Sequence, residues 1–500
     1  MFADGGKKMK NMRYLVLLLV IVCLLFAQQD VEEMMKKMQQ QVNSEIQKNE
    51  EAVRRYISKN DSLFAEFLKN EWKAFDTQEG EKRKELPKPE KIPEIPEIKF
   101  EYKEYVPVEV YLPELDVDTR ISPEIKPPEV TVSEVAKYEG IKVAFYEKKL
   151  DFRYNTETKI QVKKPVNDKS IPVYWEEMSL VETQPMLQQI EDYADKLGLN
   201  DYGKFLLVKK IASQIVDDEE SRILFSWYLI TKLGYDVRVG YGPGFTVLMV
   251  PSNNMLFARP FLTVNNQKYF IFNFYDDQPK KFNTLYSYDK KHPSATKYFD
   301  FSIPKLPEIG SYDHQKTLKF KYQNQTYDLN YDYNQQLVNF FNFYPQTDYS
   351  VYFKAPVAPQ TIYNFAKAFK PILSDKTEQE ALNIILRFVQ TAFMYKTDND
   401  HFGREKPLIP DETLYYPYSD CEDRSILFSI LVEELLNLKA IGLKYEGHMA
   451  VGVQTKSSPK GDYVNHRGNK YLVCDPTYIN ANIGQSMPRY KNKSITVIDF

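Results

Sequence analysis

The stretch that decides the fold lies near the C-terminus, where residues 420–429 read Asp-Cys-Glu-Asp-Arg-Ser-Ile-Leu-Phe-Ser. Apolar residues recur at helical spacing over Leu427–Leu438, which predicts a helix with one buried face. Ser419 or Asp420 is a suitable N-cap, so Cys421 falls in the first turn. The positive end of the helix dipole favours a thiolate there and should lower the thiol pKa. We therefore take Cys421 as a candidate nucleophile.

Two later strands supply candidate partners for this thiol. His448 alone of the five histidines lies on an apolar strand, Gly-His-Met-Ala-Val-Gly at 447–452. A histidine in reach of a thiol can take its proton and later protonate a leaving amine. Asp475 follows the apolar run Tyr471–Cys474, and a carboxylate there can orient an imidazole. The sequence thus predicts a Cys-His-Asp constellation.

The low cysteine count bears on the same site. The chain has three cysteines, and one of them, Cys23, lies in an N-terminal leader-like run. Alternation along a strand sends Cys474 and Asp475 to opposite faces. If Asp475 faces the histidine, Cys474 faces the core, and a disulfide with Cys421 is disfavoured.

An earlier stretch matches the nucleophile region. Residues 217–226 read Asp-Asp-Glu-Glu-Ser-Arg-Ile-Leu-Phe-Ser, and they share Ile-Leu-Phe-Ser with residues 420–429. Aligning these four residues places Asp218 opposite Cys421. Self-similarity of this kind indicates an internal repeat.

The same alignment pairs the other two candidate positions. Phe245 and His448 lie 27 residues after the aligned pair, and Asn273 then falls opposite Asp475. The first copy therefore has neither a nucleophile nor a base. We expect it to be catalytically inactive, with a structural or substrate-presenting role.

The second copy resembles the transglutaminase-like superfamily. The matching segments are Asp-Cys-Glu-Asp-Arg-Ser at a helix start, Gly-His-Met-Ala-Val on a strand, and Cys-Asp-Pro-Thr-Tyr after the next strand. The resemblance covers about residues 360–500, with the degenerate copy at about 185–280. It implies an α+β fold in which a papain-like nucleophile helix packs on an antiparallel sheet, preceded by the degenerate copy and β-rich segments.

The resemblance also implies a mechanism. Cys421 would attack an amide or peptide carbonyl to form a thioester, with His448 as base and Asp475 as orienting residue. Members of this fold often complete the oxyanion site with a polar or aromatic side chain that precedes the nucleophile. Gln390 is the first candidate and Tyr395 the second, although an exposed polar residue on an amphipathic helix is an equally good interpretation of either.

The rest of the chain divides by composition. Val31–Phe75 has apolar residues at helical spacing, and residues 87–128 contain nine prolines among Glu and Lys. The polar segment Lys396–Ser419 has no counterpart in the first copy, which is typical of a lid or specificity loop. The predicted boundaries are a signal peptide at 1–27, an amphipathic helical segment at 28–76, a linker at 77–135, strands plus the degenerate domain at 136–298, a β-rich segment at 299–355, and the catalytic domain at 356–500.

The N-terminus predicts export. Four basic residues precede an apolar run of 13 residues, Leu15–Ala27. A membrane-spanning helix needs about 20 apolar residues, so a cleaved secretory signal is favoured over an anchor. We expect a secreted protein that is periplasmic or associated with the cell envelope.

Charge and motifs exclude other classes. The net charge is −3 with no basic stripe, which argues against nucleic-acid binding. The sequence has no zinc pattern, Gly-rich phosphate loop or evident acidic ion-binding loop, so we predict no metal and no cofactor. The expected partner is a protein or peptide substrate; the oligomeric state stays open.

Three functions fit the sequence. A cysteine peptidase or amidase is favoured, because an intact triad tends to be lost when activity is not needed. A protein-crosslinking transglutaminase would use the same residues with an amine as acceptor. A non-catalytic scaffold or binding protein of the cell envelope is the alternative from a different class.

Overall fold

The computed structural model describes residues 34–45, 48, 52, 55–83, 94–97, 107–113, 124–125, 137–272 and 283–500. The expected signal peptide at 1–27, most of the predicted linker and Asn273 lie outside the described residues. The chain forms two compact units, Met1–Glu66 and Phe67–Phe500.

The described N-terminal residues are helical at 34–45 and 55–70, in agreement with the apolar spacing. The predicted helical segment ends early, because Lys73–Asp76 forms a β-strand instead. Among the described residues, no helix is both long and apolar enough to span a membrane.

Among its described residues, the first half of the large unit has four α-helices after a β-hairpin. Its strands are β1 Lys73–Asp76, β2 Glu124–Ile125, β3 Tyr138–Phe145, β4 Lys148–Asn155, β5 Arg238–Gly242, β6 Phe245–Pro251, β7 Phe261–Val264, β8 Gln267–Phe272 and β9 Thr284–Ser287. Its helices are α1 Ser170–Ser179, α2 Gln184–Lys196, α3 Asp201–Ile215 and α4 Glu219–Lys232.

The second half follows the same plan with more helices. Its strands are β10 His314–Tyr322, β11 Gln325–Tyr333, β12 Met394–Tyr395, β13 Tyr418–Ser419, β14 Ala440–Tyr445, β15 His448–Val453, β16 Tyr463–His466, β17 Asn469–Cys474 and β18 Thr496–Ile498. Its helices are α5 Gln335–Asn342, α6 Tyr349–Phe353, α7 Pro359–Leu373, α8 Glu378–Thr391, α9 Asp398–Phe402, α10 Pro410–Tyr415 and α11 Cys421–Leu436.

The two main sheets have matching strand orders. The first sheet runs β1-β9-β5-β6-β8-β7 and the second runs β18-β14-β15-β17-β16, with antiparallel pairing throughout. Apart from the added edge strand β1, each strand of one sheet has a counterpart at the same place in the other.

The hairpins and helices match as well. Helices α2 and α3 pack on strands β4 and β3, just as α7 and α8 pack on β11 and β10. Each half is therefore a hairpin, a helical layer and an antiparallel sheet in the same order. This architecture confirms the predicted α+β class.

Two predicted strand regions contain helices. Alternating apolar residues such as Ile141, Val143 and Phe145 predict strands over 138–175, but these strands end at Asn155, and α1 begins at Ser170. The β-rich stretch at 299–355 provides only β10 and β11 before α5 and α6. Both predictions were wrong, because short buried helices that contain aromatic and β-branched residues have the composition of strands.

Residues 94–97 and 107–113 of the proline-rich stretch lie along the second half, whereas Glu124–Ile125 pairs with β4 in the first half. The Ile95 amide donates to the carbonyl of Ile479 at 3.1 Å, and Glu97 forms an ion pair with Arg387 at 3.1 Å. Farther along, the Tyr111 amide donates to a carbonyl at the end of α11 at 3.2 Å. Residues 94–97 therefore lie next to the loop that follows β17, and Tyr111 lies at the C-terminal end of α11.

Candidate active site

Cys421 is the first residue of α11, directly after the N-cap Asp420. The backbone amide of Asp420 donates to Oδ2 of Asp423 at 3.3 Å, which fixes the start of the helix. The thiol is buried, and Cys421 is 3% exposed. The predicted placement of the nucleophile at a helix start is what the structure shows.

His448 and Asp475 form a buried pair. His448 begins β15 opposite Tyr445, and Asp475 directly follows β17. The distance from Nε2 of His448 to Oδ2 of Asp475 is 2.9 Å. The other carboxylate oxygen accepts the amides of Thr477 and Tyr478 at 3.0 and 3.1 Å. This pairing leaves Nδ1 as the ring nitrogen that can act as a base.

The sheet brings the thiol to this pair. Helix α11 packs on β15, and the backbone amide of Met449, next to His448, interacts with the Cys421 sulfur. Cys421 therefore lies near the end of the sheet that carries the His448–Asp475 pair.

Tyr490 covers the imidazole of His448, and the sequence analysis did not predict this contact. Its ring stacks on His448 with centroids 4.6 Å apart and planes at 15°. Its hydroxyl donates to the carbonyl of Gly447 at 3.2 Å, and Arg489 donates to that hydroxyl. Tyr490 lies in a loop without strand or helix periodicity, so no local pattern could have assigned it.

The thiol is not activated by its helix position. Burial raises the pKa of Cys421 well above its usual range, and the carboxylates of Glu422 and Asp420 raise it further. The thiol donates to Oε2 of Glu422 at 3.1 Å. The expected lowering of the pKa is therefore wrong, because burial and two neighbouring negative charges outweigh the partial charge of the helix dipole.

The Gln390 side chain is hydrogen-bonded to the backbone around Asp475 and is not free to contact a substrate. Its amide nitrogen donates to the carbonyls of Asp475, Tyr478 and Ala481 at 3.1, 2.8 and 3.0 Å. Its amide oxygen accepts from the backbone of Asn480 at 3.2 Å. Both donor hydrogens are thus occupied, so Gln390 holds the loop that carries Asp475 and has no donor left for an oxyanion.

Tyr395, the second oxyanion candidate, lies close to the start of α11. It lies on β12 opposite Ser419, the residue two before the nucleophile. Burial raises the pKa of Tyr395, and the nearby groups Cys421 and Asp420 add to this rise. The phenol therefore keeps its proton and can donate a hydrogen bond. The backbone amide of Cys421, in the first turn of α11, has no intrahelical acceptor and is a second candidate donor.

The segment Lys396–Ser419 is a packed cover instead of an open loop. It contains α9 and α10, and Leu408, Ile409 and Leu414 are buried. These buried apolar side chains account for the packing of the segment. The sequence analysis missed it, because the segment is rich in polar residues and contains prolines.

Carboxyl groups gather under this cover. Burial raises the pKa of Asp398 and of Asp420 well above the usual range and that of Asp423 to about 8, with neighbouring carboxylates contributing. Asp398, Asp420 and Asp423 form one set of potential metal ligands, and Asp398, Glu405 and Glu422 form another. The sequence analysis did not predict this cluster, because its members come from separate turns of the cover and from the start of α11 and form no local motif.

Cys474 is a core residue, as predicted. It is fully buried at the end of β17, and both it and Cys421 are free thiols. Burial raises the pKa of Cys474 well above its usual range. It has no place in the candidate site.

The equivalent end of the first half carries different side chains. Asp218 is the N-cap of α4, where it accepts the amide of Ser221 at 3.4 Å and pairs with Lys164 at 3.4 Å. Phe245 begins β6 opposite Gly242, the position that His448 occupies in β15. The described residues of this end therefore offer no nucleophile and no base.

Comparisons of the chain with protein-family models, curated proteins and solved structures found no match.

Proposed function

We propose that this protein is an exported transglutaminase-like cysteine hydrolase that cleaves amide or peptide bonds through a thioester. The buried His448–Asp475 pair beside the start of α11, with 2.9 Å between Nε2 and Oδ2, is the observation that carries the proposal. A histidine held by a carboxylate next to a thiol at a helix start supports nucleophilic catalysis. A periplasmic or envelope location and a protein or peptide substrate belong to the same proposal.

The reaction follows from the protonation state of the site. Because the resting thiol keeps its proton, Nδ1 of His448 removes it while the sulfur attacks the carbonyl carbon. The Cys421 amide and the Tyr395 phenol stabilise the oxyanion. The imidazolium then protonates the leaving nitrogen as the C–N bond breaks, which leaves a thioester.

Water completes the cycle. His448 takes a proton from the water as its oxygen attacks the thioester, and the C–S bond breaks to release the acid and the thiol. Asp475 holds the ring and stabilises the imidazolium in both halves of the reaction. An amine in place of water would give the crosslinking reaction through the same groups.

One observation favours a second candidate, a non-catalytic envelope scaffold. Cys421 is 3% exposed, and its pKa is raised by burial and by acidic neighbours. A substrate must displace some of the groups packed around such a thiol to reach it. The scaffold proposal interprets the closed site as permanent, whereas the hydrolase proposal requires that it opens.

Acylation of Cys421 tests the two candidates. We would incubate the protein with p-nitrophenyl acetate, locate the acyl group by mass spectrometry and follow nitrophenol release. The hydrolase should be acylated at Cys421 and turn over, and His448→Ala should slow acylation by about 10²- to 10⁴-fold. Cys474→Ala, which removes the other buried thiol, is the matched control and should react as the wild type does.

Two outcomes would change the assignment. Incorporation of an added primary amine in preference to water would indicate a crosslinking transglutaminase. Acylation that is absent, or that His448→Ala leaves unchanged, would contradict the hydrolase and favour the scaffold.

A further inference from the structure

A buried arginine joins the proline-rich stretch to the surroundings of Asp475. Arg387 lies on α8, is 3% exposed and forms an ion pair with Glu97 at 3.1 Å. Its Nε donates to the Gln390 amide oxygen at 3.0 Å. Its other nitrogens donate to the side-chain oxygen and the carbonyl of Asn480 at 2.7 and 3.2 Å. Glu97 thus neutralises a buried cation that also binds Gln390 and Asn480.

Gln390 and Asn480 carry this connection into the loop after β17. The Gln390 amide nitrogen donates to three carbonyls of the loop, one of which is that of Asp475 at 3.1 Å. Its amide oxygen accepts the backbone amide of Asn480 at 3.2 Å. Asn480 has a φ of 67°, in the left-handed region that asparagine and glycine tolerate best. The loop that carries Asp475 is therefore held from α8.

The proline-rich stretch contacts the same loop through its backbone. The Ile95 amide donates to the carbonyl of Ile479 at 3.1 Å, and the Ile95 carbonyl accepts from the Asn480 side chain at 2.8 Å. Glu94 and Ile479 form a parallel β-bridge. Residues 94–97 thus lie alongside the loop, and these bonds fix the place at which the Glu97 carboxylate meets its arginine.

The half without the candidate residues lacks this arginine. Helix α3, the counterpart of α8, contains no arginine, and Gln214 at its matched end is exposed. The two halves share their layers and strand order, so packing of the fold does not require the connection. Its occurrence in the half that carries Cys421 and His448 favours a role at the site.

We propose that Glu97, although it belongs to the proline-rich stretch, is a positioning residue for Asp475. It acts through Arg387 and Gln390, which hold the loop that carries this carboxylate. Loss of the Glu97 charge leaves the buried guanidinium without a counter-charge, which is costly, so Arg387 shifts toward water. Its bonds to the loop weaken, and the Asp475 carboxylate departs from its 2.9 Å contact with His448.

Hydrogen–deuterium exchange of the full chain tests the hold on the loop without a substrate. In Glu97→Gln, the amides of residues 475–484 should exchange about 10-fold faster, because a charged hydrogen bond becomes a weaker neutral one. Asn480→Gly tolerates the backbone conformation but removes the side chain that bonds to Arg387, so it should have the same effect. Glu109→Gln is the matched control, since Glu109 lies on the same stretch and is exposed. It should exchange as the wild type does.

A double-mutant cycle tests the effect on catalysis, which rests on the proposed function. With p-nitrophenyl acetate, Glu97→Gln should lower kcat by about 10- to 100-fold with little change in KM, because only the placement of Asp475 changes. In the Asp475→Asn background, acylation of Cys421 is followed by mass spectrometry. Glu97→Gln should cause almost no further loss there, since its route to the reaction is already broken.

Three outcomes would overturn the proposal. The first is unchanged exchange of residues 475–484 in both Glu97→Gln and Asn480→Gly. The second is equal acceleration in Glu109→Gln, which would mean that any change in the stretch loosens the loop. The third is an equal loss of rate with Asp475 and with Asn at that position, which would leave Glu97 a role in stability alone. Faster exchange in a chain whose wild type is never acylated at Cys421 would contradict only the proposed function.

Discussion

The two halves of the large unit share a hairpin, a helical layer and a sheet of the same strand order, yet they differ at the end of the sheet where the helix begins. In the second half this end carries Cys421, His448 and Asp475, whereas in the first half Asp218 caps the helix and Phe245 begins the equivalent strand. The comparison teaches that the packing of this fold does not depend on the chemistry of its site. The layers are held by apolar faces, and the site occupies the ends of elements.

The halves also differ in the segment before the helix. Residues 216–218 join α3 to α4, but residues 392–420 separate α8 from α11 and supply the cover and part of the acidic cluster. The second half thus has both the candidate residues and an added segment that precedes Cys421. Substitutions at matched positions of the two halves should separate catalytic from structural roles.

The largest expected effect is on catalysis, in Asp475→Asn. The amide can still accept the backbone amides of Thr477 and Tyr478, but it no longer stabilises the imidazolium of His448. We expect the hydrolysis of p-nitrophenyl acetate to fall by about 10⁴-fold with little change in melting temperature. Asp218→Asn in the first half is the control. A reduction of less than tenfold in Asp475→Asn would remove Asp475 from the mechanism.

The next effect is on stability, in Gln390→Leu. The change leaves three buried carbonyls without their donor, so the free energy of unfolding should fall by about 3 kcal/mol. Gln214 lies at the matched end of α3 and is exposed. Gln214→Leu should therefore change the free energy of unfolding by less than about 0.5 kcal/mol. Urea unfolding measures both. Equal effects would show that Gln390 does not hold the loop after β17.

A smaller effect is expected on the reactivity of Cys421, in Glu422→Gln. The Glu422 carboxylate raises the thiol pKa, so removing its charge lowers that pKa and shifts alkylation by iodoacetamide to lower pH. Glu434→Gln, at the other end of the same helix, should leave the profile unchanged. A shift to higher pH in Glu422→Gln would contradict the electrostatic account of the site.

The smallest effect is expected in the first half, in Asp218→Ala. Loss of the cap on α4 should lower the free energy of unfolding by about 1 kcal/mol. The exposed neighbour Asp217 is the control, and Asp217→Ala should have almost no effect. A loss of acylation at Cys421 in Asp218→Ala would mean that the first half takes part in the reaction, which its side chains do not suggest.

Local patterns predicted most of the framework. Apolar spacing gave α11 and its start, and alternation gave β15 and β17 together with the core position of Cys474. The shared Ile-Leu-Phe-Ser matched two helices whose following strands occupy equivalent places in the two sheets. These predictions succeeded because each depends on residues close together in the chain.

Contacts between distant segments could not be predicted in this way. Gln390 was assigned to the oxyanion site, but its amide holds the loop after β17, because only the packing of α8 against that loop brings their polar groups together. The stacking of Tyr490 on His448 has the same origin. The helix α5 was taken for part of a strand region, since aromatic side chains suit both structures when they are buried.

The sequence by itself determined the α+β class, the helix that begins at Cys421 and the strands that carry His448 or precede Asp475, because periodicity and spacing are local properties of a chain. From those positions it predicted the Cys-His-Asp constellation. Only the tertiary structure decided the state of that constellation. Burial and the carboxylates of Asp420 and Glu422 keep the Cys421 thiol protonated. Solvent exclusion and the distances between charges, which set these pKa values, exist only after the chain has folded.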